Sequence, residues 1–280
     1  MTDSDDQGYI DSEKRLAAEA AAELVEAGMT VGLGTGSTVA YLLGALARRK
    51  LDITCVATSP ATFDTARRLG LDVREFTGID HLDVTIDGAD QVDPAGWLVK
   101  GGGGAHTREK IVAAAAERYV VIVSSNKMVD ALAAPVPLEL LAFGHDATLR
   151  ALGDARISDK PSSPDNGVLA DYFGPIGDPG ELASWLSATP GVVEHGLFAP
   201  AMVSDILVGQ GSRVHRRCPG GCPGGDGVAG ERSACHTGAD NLSGRHAPGH
   251  DQSGLHSPGN PSSSELSTWA PPAASSSSTE

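Results

Sequence analysis

The sequence has little positive charge, no long apolar run and few cysteines. Its 21 lysine and arginine residues stand against 36 acidic residues, which gives a formal net charge of −15. This balance argues against nucleic acid as a partner, because phosphate backbones are bound by clustered basic side chains. No apolar stretch approaches the ~20 residues that a membrane-spanning helix requires. The acidic first residues also lack the apolar core of a secretory signal, so we expect neither secretion nor a membrane partner.

The four cysteines indicate no disulfide framework. Only Cys55 lies in the part of the sequence with a globular composition, so we expect a reducing, cytoplasmic environment. Cys218, Cys222 and Cys235 lie near His236, a set of side chains that could bind zinc. Their spacing is loose, and no hydrophobic residues surround them to form the core of a zinc finger. We therefore expect no metal site.

The composition changes sharply at about Gly211. Residues 211–280 include 12 glycines, 7 prolines and 13 serines, and large aliphatic side chains nearly disappear. Such a segment cannot bury enough apolar surface to offset its chain entropy, so we predict a disordered, low-complexity tail over residues 211–280. A frameshifted or extended reading frame is one hypothesis for its origin, which resequencing of the gene would test.

Short apolar segments alternate with helical patterns through the first 134 residues. This alternation is typical of a parallel sheet with helices on both faces. The sequence therefore predicts an α/β fold with a doubly wound, mostly parallel, Rossmann-like sheet. The predicted strands in this part of the chain cover residues 29–33, 53–58, 73–76, 82–86 and 119–123.

After residue 134 the pattern changes to that of a small α+β domain. Asn166 and Gly167 form a hairpin signal between predicted strands at residues 155–158 and 168–173. Further strands are predicted at residues 192–198 and at residues 203–208, and the second of these returns to the main sheet. The predicted domains are a Rossmann-like catalytic domain (1–134 plus about 200–210), an inserted α+β domain (135–199) and the tail (211–280).

The segment Gly34-Thr35-Gly36-Ser37-Thr38 connects a predicted strand to a predicted helix. Glycines let the backbone approach an anion, and the N–H groups of the first helical turn point at it. A tight turn with a helix-capping hydroxyl gives the same pattern. The dinucleotide fingerprint would need a third glycine at Ser37, and the nucleoside-triphosphate loop needs a lysine that is absent. A small phosphorylated metabolite is therefore expected rather than a nucleotide.

Charged side chains and glycines are concentrated between Asp87 and Lys110. Asp87 follows a predicted strand, Lys100 precedes four glycines, and Glu109 lies in the first turn of a predicted helix. A carboxylate on a helix can act as a general base, and an ammonium can stabilise an oxyanion. Each residue also has a structural alternative, namely a turn-forming aspartate, a solvated lysine or a glutamate that favours the helix dipole. Asp87 and Asp90 could also hold magnesium.

Four motifs occur in order, namely GLGTGST at residues 32–38, TIDGAD at 85–90, KGGGGAHTREK at 100–110 and SSNK at 124–127. Over residues 10–210 the sequence thus resembles ribose-5-phosphate isomerase, type A. The resemblance implies an aldose–ketose isomerisation between D-ribose 5-phosphate and D-ribulose 5-phosphate, without a cofactor, in the pentose phosphate pathway. It also implies a homodimer or homotetramer.

The resemblance further implies residue roles. Glu109 would be the catalytic base that moves a proton between C2 and C1 of an enediolate. Lys100 would stabilise the charged oxygen, and Asp87 would assist ring opening and hydroxyl proton transfer. Thr35, Gly36, Ser37 and Thr38 would bind the phosphate, with charge from Lys127 and a further contact from Lys14, and Asp90 would hold substrate hydroxyls. The other implied substrate-binding residues are Asp87, Gly88, Ala89, Lys100, Gly101, Gly102 and Gly103.

Some features depart from the family pattern or fit another function. Gln91 stands where the family more often has glutamate, and the second domain is short. A non-catalytic sugar-phosphate sensor of a related fold is the main alternative, although the sequence has no basic segment for a DNA-binding helix-turn-helix. A related sugar-phosphate deaminase would be expected to carry a different arrangement of acids and histidines.

Overall fold

The computed structural model describes residues 3–219 and 227–228, and the side chains of residues 6–219. The helices are α1 (Asp3–Ala22), α2 (Ser37–Arg49), α3 (Pro60–Arg68), α4 (His106–Ala114), α5 (His145–Leu152) and α6 (Pro179–Ala188). The strands are β1 (Thr30–Leu33), β2 (Thr54–Ala57), β3 (Asp72–Arg74), β4 (Leu82–Asp87), β5 (Gln91–Val92), β6 (Leu98–Val99), β7 (Ala116–Ser124), β8 (Val136–Leu140), β9 (Ala155–Ile157), β10 (Val168–Tyr172), β11 (Val192–His195), β12 (Leu197–Phe198), β13 (Asp205–Gln210), β14 (Arg213–Arg217) and β15 (Gly227–Val228). Single 3-10 turns follow β7 at Ser125–Lys127 and β12 at Pro200–Met202.

The main sheet of the described residues has the strand order β15-β14-β13-β7-β4-β1-β2-β3. The strands from β13 to β3 are parallel to their neighbours, whereas β14 and β15 are antiparallel additions at one edge. This topology confirms the predicted doubly wound, mostly parallel sheet. The chain order reverses between β1 and β4, and the ligand crevice of such sheets lies at that point, beyond the carboxyl ends of the strands.

Both faces of the main sheet are buried, as the side chains of β7 show. Val120 and Ile122 pack into the apolar cluster that includes residues of α1 and α2. Tyr119 and Val121 pack on the opposite face with Ala113 of α4. Because both faces are covered, the strands read in the sequence as continuous apolar runs rather than as alternating patterns.

A second, antiparallel sheet has the order β11-β8-β10-β9 and packs against apolar residues of α5 and α6. The predicted pairing of β9 with β10 is present, and Asn166 lies in the left-handed region with φ of 65° in the connecting loop. The strand β8 is absent from the sequence prediction. Its second residue is Pro137, and proline is disfavoured in strands that have neighbours on both sides.

The strand predicted at residues 192–198 is divided at Gly196. Its first part, β11, joins the second sheet, and its last part, β12, pairs with β6 in a three-stranded sheet of order β12-β6-β5. The Gly196 N–H donates to the Pro137 carbonyl (2.7 Å), and the Gly196 carbonyl accepts from the Lys100 N–H (2.8 Å). A Cβ atom at Gly196 would lie 2.1 Å from the Lys100 carbonyl oxygen, so this approach requires glycine. The division into two domains stays a prediction.

The predicted tail boundary at residue 211 is wrong. The chain turns at Gly211 (φ 62°) and returns as β14, which pairs antiparallel with β13. The glycine-rich composition of the later residues concealed the short segment RVHRR, whose middle residues are half-buried. Beyond β14, only residues 218–219 and 227–228 of the predicted tail are described. The predictions about Cys222, Cys235 and His236 lie outside the described residues.

Within the described part of the chain, no helix is long and apolar enough to cross a membrane.

The close packing of α1 on β13 gives a stability prediction. A Cβ atom at Gly209 would lie 2.0 Å from the backbone oxygen of Glu13. We expect Gly209→Ala to lower the free energy of unfolding by about 1–3 kcal/mol, because α1 must shift to relieve the overlap. Gly8→Ala, on the exposed face of α1 with nothing within 4 Å, is the control and should be neutral or stabilising. Urea denaturation that finds Gly209→Ala as stable as the parent would contradict this packing.

Candidate active site

The loops that follow β1 and β4 meet at the carboxyl edge of the main sheet. The Gly34 N–H donates to the Ile86 carbonyl at 3.0 Å, so the two strand ends are joined directly. The next amide, that of Thr35, donates to Oδ1 of Asp87 at 3.0 Å. A Cβ atom at Gly34 would lie 1.8 Å from the same Oδ1 atom, so only glycine leaves room for Asp87. The sequence prediction that the glycine loop and Asp87 converge on one edge is therefore observed.

Three charged side chains form a buried cluster at this edge, which we call the charge triad: Asp87, Lys100 and Glu109. Nζ of Lys100 lies 2.8 Å from Oδ2 of Asp87 and 3.2 Å from Oε2 of Glu109. The three side chains are between 0% and 3% exposed. The ammonium also donates to the Gly88 carbonyl and lies 5.4 Å from the ring centre of Phe198. Protein groups thus replace water around the ammonium.

The charge triad has one positive group for two carboxyl groups, and this imbalance sets its protonation. Burial and the nearby Asp87 carboxylate raise the pKa of Glu109 to about 8, although Lys100 opposes the shift. Burial also raises the pKa of Asp87, against the effects of Lys100 and of two N–H donors. Burial lowers the pKa of Lys100, but the two carboxylates outweigh it and hold that pKa well above its usual value. The triad therefore retains a proton on Glu109 up to about pH 8.

The helix α4 fixes Glu109 because the residues around it are attached to the second sheet and its loops. The Thr107 hydroxyl donates to Glu139, a buried residue of β8. Arg108 forms a two-pronged ion pair with Asp165 at 2.7 and 2.8 Å. Lys110 forms an ion pair with Glu194 at 2.6 Å. Glu109 alone of these four consecutive side chains joins the charge triad. The TREK segment therefore combines one side chain of the charge triad with three anchors.

The four glycines after Lys100 have separate steric requirements. Gly101 and Gly104 have φ angles of 106° and 72°, values that other residues rarely adopt. A Cβ atom at Gly101 would also lie 2.8 Å from Pro137. Asp90 organises the middle of the loop, because its Oδ2 accepts the Gly102 N–H at 2.7 Å. Asp90 was predicted to bind substrate hydroxyls, and the structure adds this contact to the glycine loop.

The predicted phosphate loop leads into the N-terminus of α2. Gly36 has a φ of 124° and precedes the first helical residue, and both Gly36 and Ser37 are exposed. The first N–H groups of a helix lack partners within it, so they are available to an anion. Thr35 has a different environment, because its N–H contacts Asp87 and its hydroxyl lies 2.8 Å from that of Thr58.

The two remaining predicted cations lie on other elements. Lys127 ends the 3-10 turn that follows β7, the strand next to β4. Lys14 lies on α1, where its ammonium is 3.1 Å from Oδ1 of Asp11. Lys14 was predicted to contact phosphate, and the contact that the structure gives it is this ion pair. Both assignments stay predictions.

Sequence reasoning missed two aromatic rings beside Lys100 and a buried histidine on α4. The Tyr119 and Phe198 rings, with centres 6.4 Å apart, lie close to Lys100 and exclude water from it. His106 is fully buried at the start of α4, and burial together with Lys110 lowers its pKa to about 4, so it is neutral at pH 7. Tyr119 and Phe198 lie outside the four motifs, because they reach the site from separate parts of the fold. His106 lies within KGGGGAHTREK, but nothing in that motif indicates that its ring is buried.

Magnesium between Asp87 and Asp90 is disfavoured by their contacts. The Asp87 oxygens accept from an ammonium and from two backbone N–H groups, and Asp90 accepts from Gly102. In the described part of the chain, the side chains close enough to share a metal ion lie instead at the opposite edge of the sheet, near the starts of β4 and β7. They are His81, Asp83 and Glu117.

The burial of the charge triad gives a prediction about stability and pH. Lys100→Met leaves two buried carboxyl groups without a counter-charge, so we expect a loss of about 3–5 kcal/mol in the free energy of unfolding at pH 8. The loss should be smaller at pH 5. Without Lys100 the folded carboxyl pKa values rise further, the folded chain binds protons that the unfolded chain has released, and stability falls as pH rises. Exposed Lys50→Met is the control. Equal losses at both pH values in urea titrations would contradict the charge arrangement.

Comparisons with known proteins show which family the chain belongs to. The family model Ribose 5-phosphate isomerase A (phosphoriboisomerase A) matches residues 54–213. Ribose-5-phosphate isomerase A of Caulobacter vibrioides is 43% identical over 225 residues, which cover 75% of this chain and 99% of that protein.

Solved structures show the same similarity. Ribose 5 phosphate isomerase A from Neisseria gonorrhoeae has 31% identity and a TM-score of 0.72, with 75% of this chain and 97% of that chain covered. A D-ribose-5-phosphate isomerase in complex with phospho-erythronic acid has 32% identity and a TM-score of 0.71, with coverages of 74% and 98%. The chain therefore belongs to the ribose 5-phosphate isomerase A family of enzymes.

Proposed function

We propose that the chain interconverts D-ribose 5-phosphate and D-ribulose 5-phosphate through an enediolate, with Glu109 as the general base. One observation carries the proposal. A buried carboxyl group with a pKa of about 8 lies 3.2 Å from a buried ammonium, at the same sheet edge as the glycine loop. A base of this strength suits the removal of a proton from carbon next to a carbonyl group.

The phosphate of the substrate would bind at the N-terminus of α2. The exposed backbone of Gly36 and Ser37 and the hydroxyls of Ser37 and Thr38 supply donors there. Thr35 would instead hold the loop, because its N–H and hydroxyl contact Asp87 and Thr58. The phospho-erythronic acid bound by one solved relative combines a phosphate with a sugar acid, the two features that this edge would recognise.

The proton transfer would take place at the charge triad. Glu109 removes the proton from C2 of the open-chain aldose, and the electron pair forms the C1–C2 double bond while the carbonyl oxygen becomes an enediolate oxygen. Lys100 stabilises that negative charge, as an ammonium shielded from water does with little reorganisation. Glu109 then returns the proton to C1, and the hydroxyl proton moves from O2 to O1, so that the ketose forms without any net gain or loss of atoms.

Asp87 and Asp90 would support this transfer in different ways. Asp87 holds the Lys100 ammonium at 2.8 Å, so a substrate oxygen bound by Lys100 would lie beside the Asp87 carboxyl group, which would relay a hydroxyl proton and assist ring opening. Asp90 fixes the amide of Gly102, so the glycine loop can present its backbone N–H groups to the substrate. In this proposal no step requires a cofactor.

The role of Glu109 predicts the effect of Glu109→Gln. The amide keeps the size of the side chain but cannot accept the proton, so kcat should fall by about 10²–10⁴-fold while the Kd for ribose 5-phosphate changes little. Glu181→Gln is the matched control, because Glu181 is also a first-turn glutamate of a helix but is exposed on α6. A coupled assay of ribulose 5-phosphate formation and calorimetric binding are the measurements. Equal losses in binding and in rate would contradict the role of base.

The pKa of Glu109 predicts the pH dependence of the reaction. The free enzyme must lose the Glu109 proton before it can act as a base, so kcat/KM should rise with pH and level off above about pH 8. Below that value it should fall about tenfold per pH unit. Rates between pH 6.5 and 9.5 avoid most of the titration of the substrate phosphate, whose second pKa is about 6. A flat profile over this range would exclude Glu109 as the titrating base.

A further inference from the structure

Glu13 on α1 is a fully buried carboxylate that the proposed reaction does not use. Its Oε2 accepts the Ser125 N–H at 3.0 Å and the Ser125 hydroxyl at 2.7 Å. Its Oε1 accepts the Gly211 N–H at 2.7 Å. One side chain therefore joins α1, the 3-10 turn after β7 and the turn between β13 and β14.

These contacts keep Glu13 ionised. Burial raises its pKa, but the hydrogen bonds from Gly211 and Ser125 outweigh that effect and hold the pKa below its usual range. A buried carboxylate is costly unless donors satisfy it, and here the donors come from elements far apart in sequence. The carboxylate thus links those elements through three hydrogen bonds.

The two neighbours of this link are the lysines predicted to contact phosphate. Ser125 begins the 3-10 turn that ends at Lys127, and Lys14 directly follows Glu13 on α1. Lys127 is half-buried and forms no ion pair with the carboxylates of the described residues. A cation that pairs with no carboxylate in the described part of the chain, at the end of the strand next to β4, is suited to an anion supplied by the substrate.

We propose that Glu13 is a positioning residue that holds Lys127, and with it Lys14, in the orientation needed to bind the substrate phosphate. This inference rests on the proposed function. An unrestrained lysine loses side-chain entropy when it binds, whereas a lysine on a fixed turn has lost part of it already. Removal of Glu13 should therefore weaken substrate binding more than it slows the chemical step.

The test compares KM and kcat for ribose 5-phosphate in Glu13 variants of the full chain. Glu13→Ala should raise KM about tenfold, the effect of losing one charge-assisted contact, and leave kcat within about twofold. Glu13→Gln should raise KM much less than Glu13→Ala does, because its amide oxygen can still accept both Ser125 donors. Glu19→Ala is the matched control, since Glu19 lies on the same helix and pairs with exposed Arg48. We expect it to leave both constants unchanged.

A double-mutant cycle separates this inference from the proposed function. If Glu13 acts through Lys127, Glu13→Ala should add little to the KM of Lys127→Ala. An unchanged KM in Lys127→Ala would reject the phosphate assignment of Lys127, whereas a raised KM there with an unchanged KM in Glu13→Ala would reject only the positioning role. If Glu13→Ala lowers the melting temperature but leaves KM unchanged, Glu13 is a purely structural anchor and the positioning role is rejected. Should Glu13→Ala fail to fold, Ser125→Ala removes one donor and should raise KM about threefold, and an unchanged KM would overturn the inference.

Discussion

The structure depends on one lysine ammonium held between two buried carboxyl groups. Lys100 needs the Asp87 carboxylate to remain charged without water, and Asp87 needs Lys100 and two N–H donors for the same reason. The surrounding geometry follows from this arrangement. Gly34 must lack a side chain to make room for Asp87, and Gly196 must lack one because the chain passes close to the Lys100 backbone between β11 and β12. Close packing around the charge triad thus explains why both positions carry glycine.

The same arrangement gives Glu109 its proposed reactivity at a cost in stability. Its pKa of about 8 lies above the usual value of 4.5, so the folded chain binds this proton more tightly than the unfolded chain does. The stability that this proton contributes is present below about pH 4.5 and is lost as pH rises through about 8. Thr107, Arg108 and Lys110 attach the helix that carries Glu109 to the second sheet and its loops, so the helix keeps Glu109 in the charge triad.

The sequence predicted the parts of the fold that depend on local patterns. The alternation of strands and helices identified the parallel sheet, and the position of Asp87 after a strand placed it beside the glycine loop. Other features depend on contacts distant in sequence. The strand β8 contains a proline, β14 has an unremarkable composition, and Glu13 reads as an ordinary helix residue. Their roles arise because Gly196, β13 and Ser125 approach them in the folded chain.

A crystal structure with bound phospho-erythronic acid would test the central claim, that the phosphate binds at the N-terminus of α2 while the reacting carbons lie at the charge triad. The phosphate should lie against the backbone N–H groups of Gly36, Ser37 and Thr38. The acid end should lie within about 3 Å of the Lys100 ammonium and of the Glu109 carboxyl group, because a general base must be within hydrogen-bonding distance of the reacting atoms. A phosphate bound away from α2, or an acid end beyond the hydrogen-bonding reach of both Lys100 and Glu109, would contradict the proposed reaction.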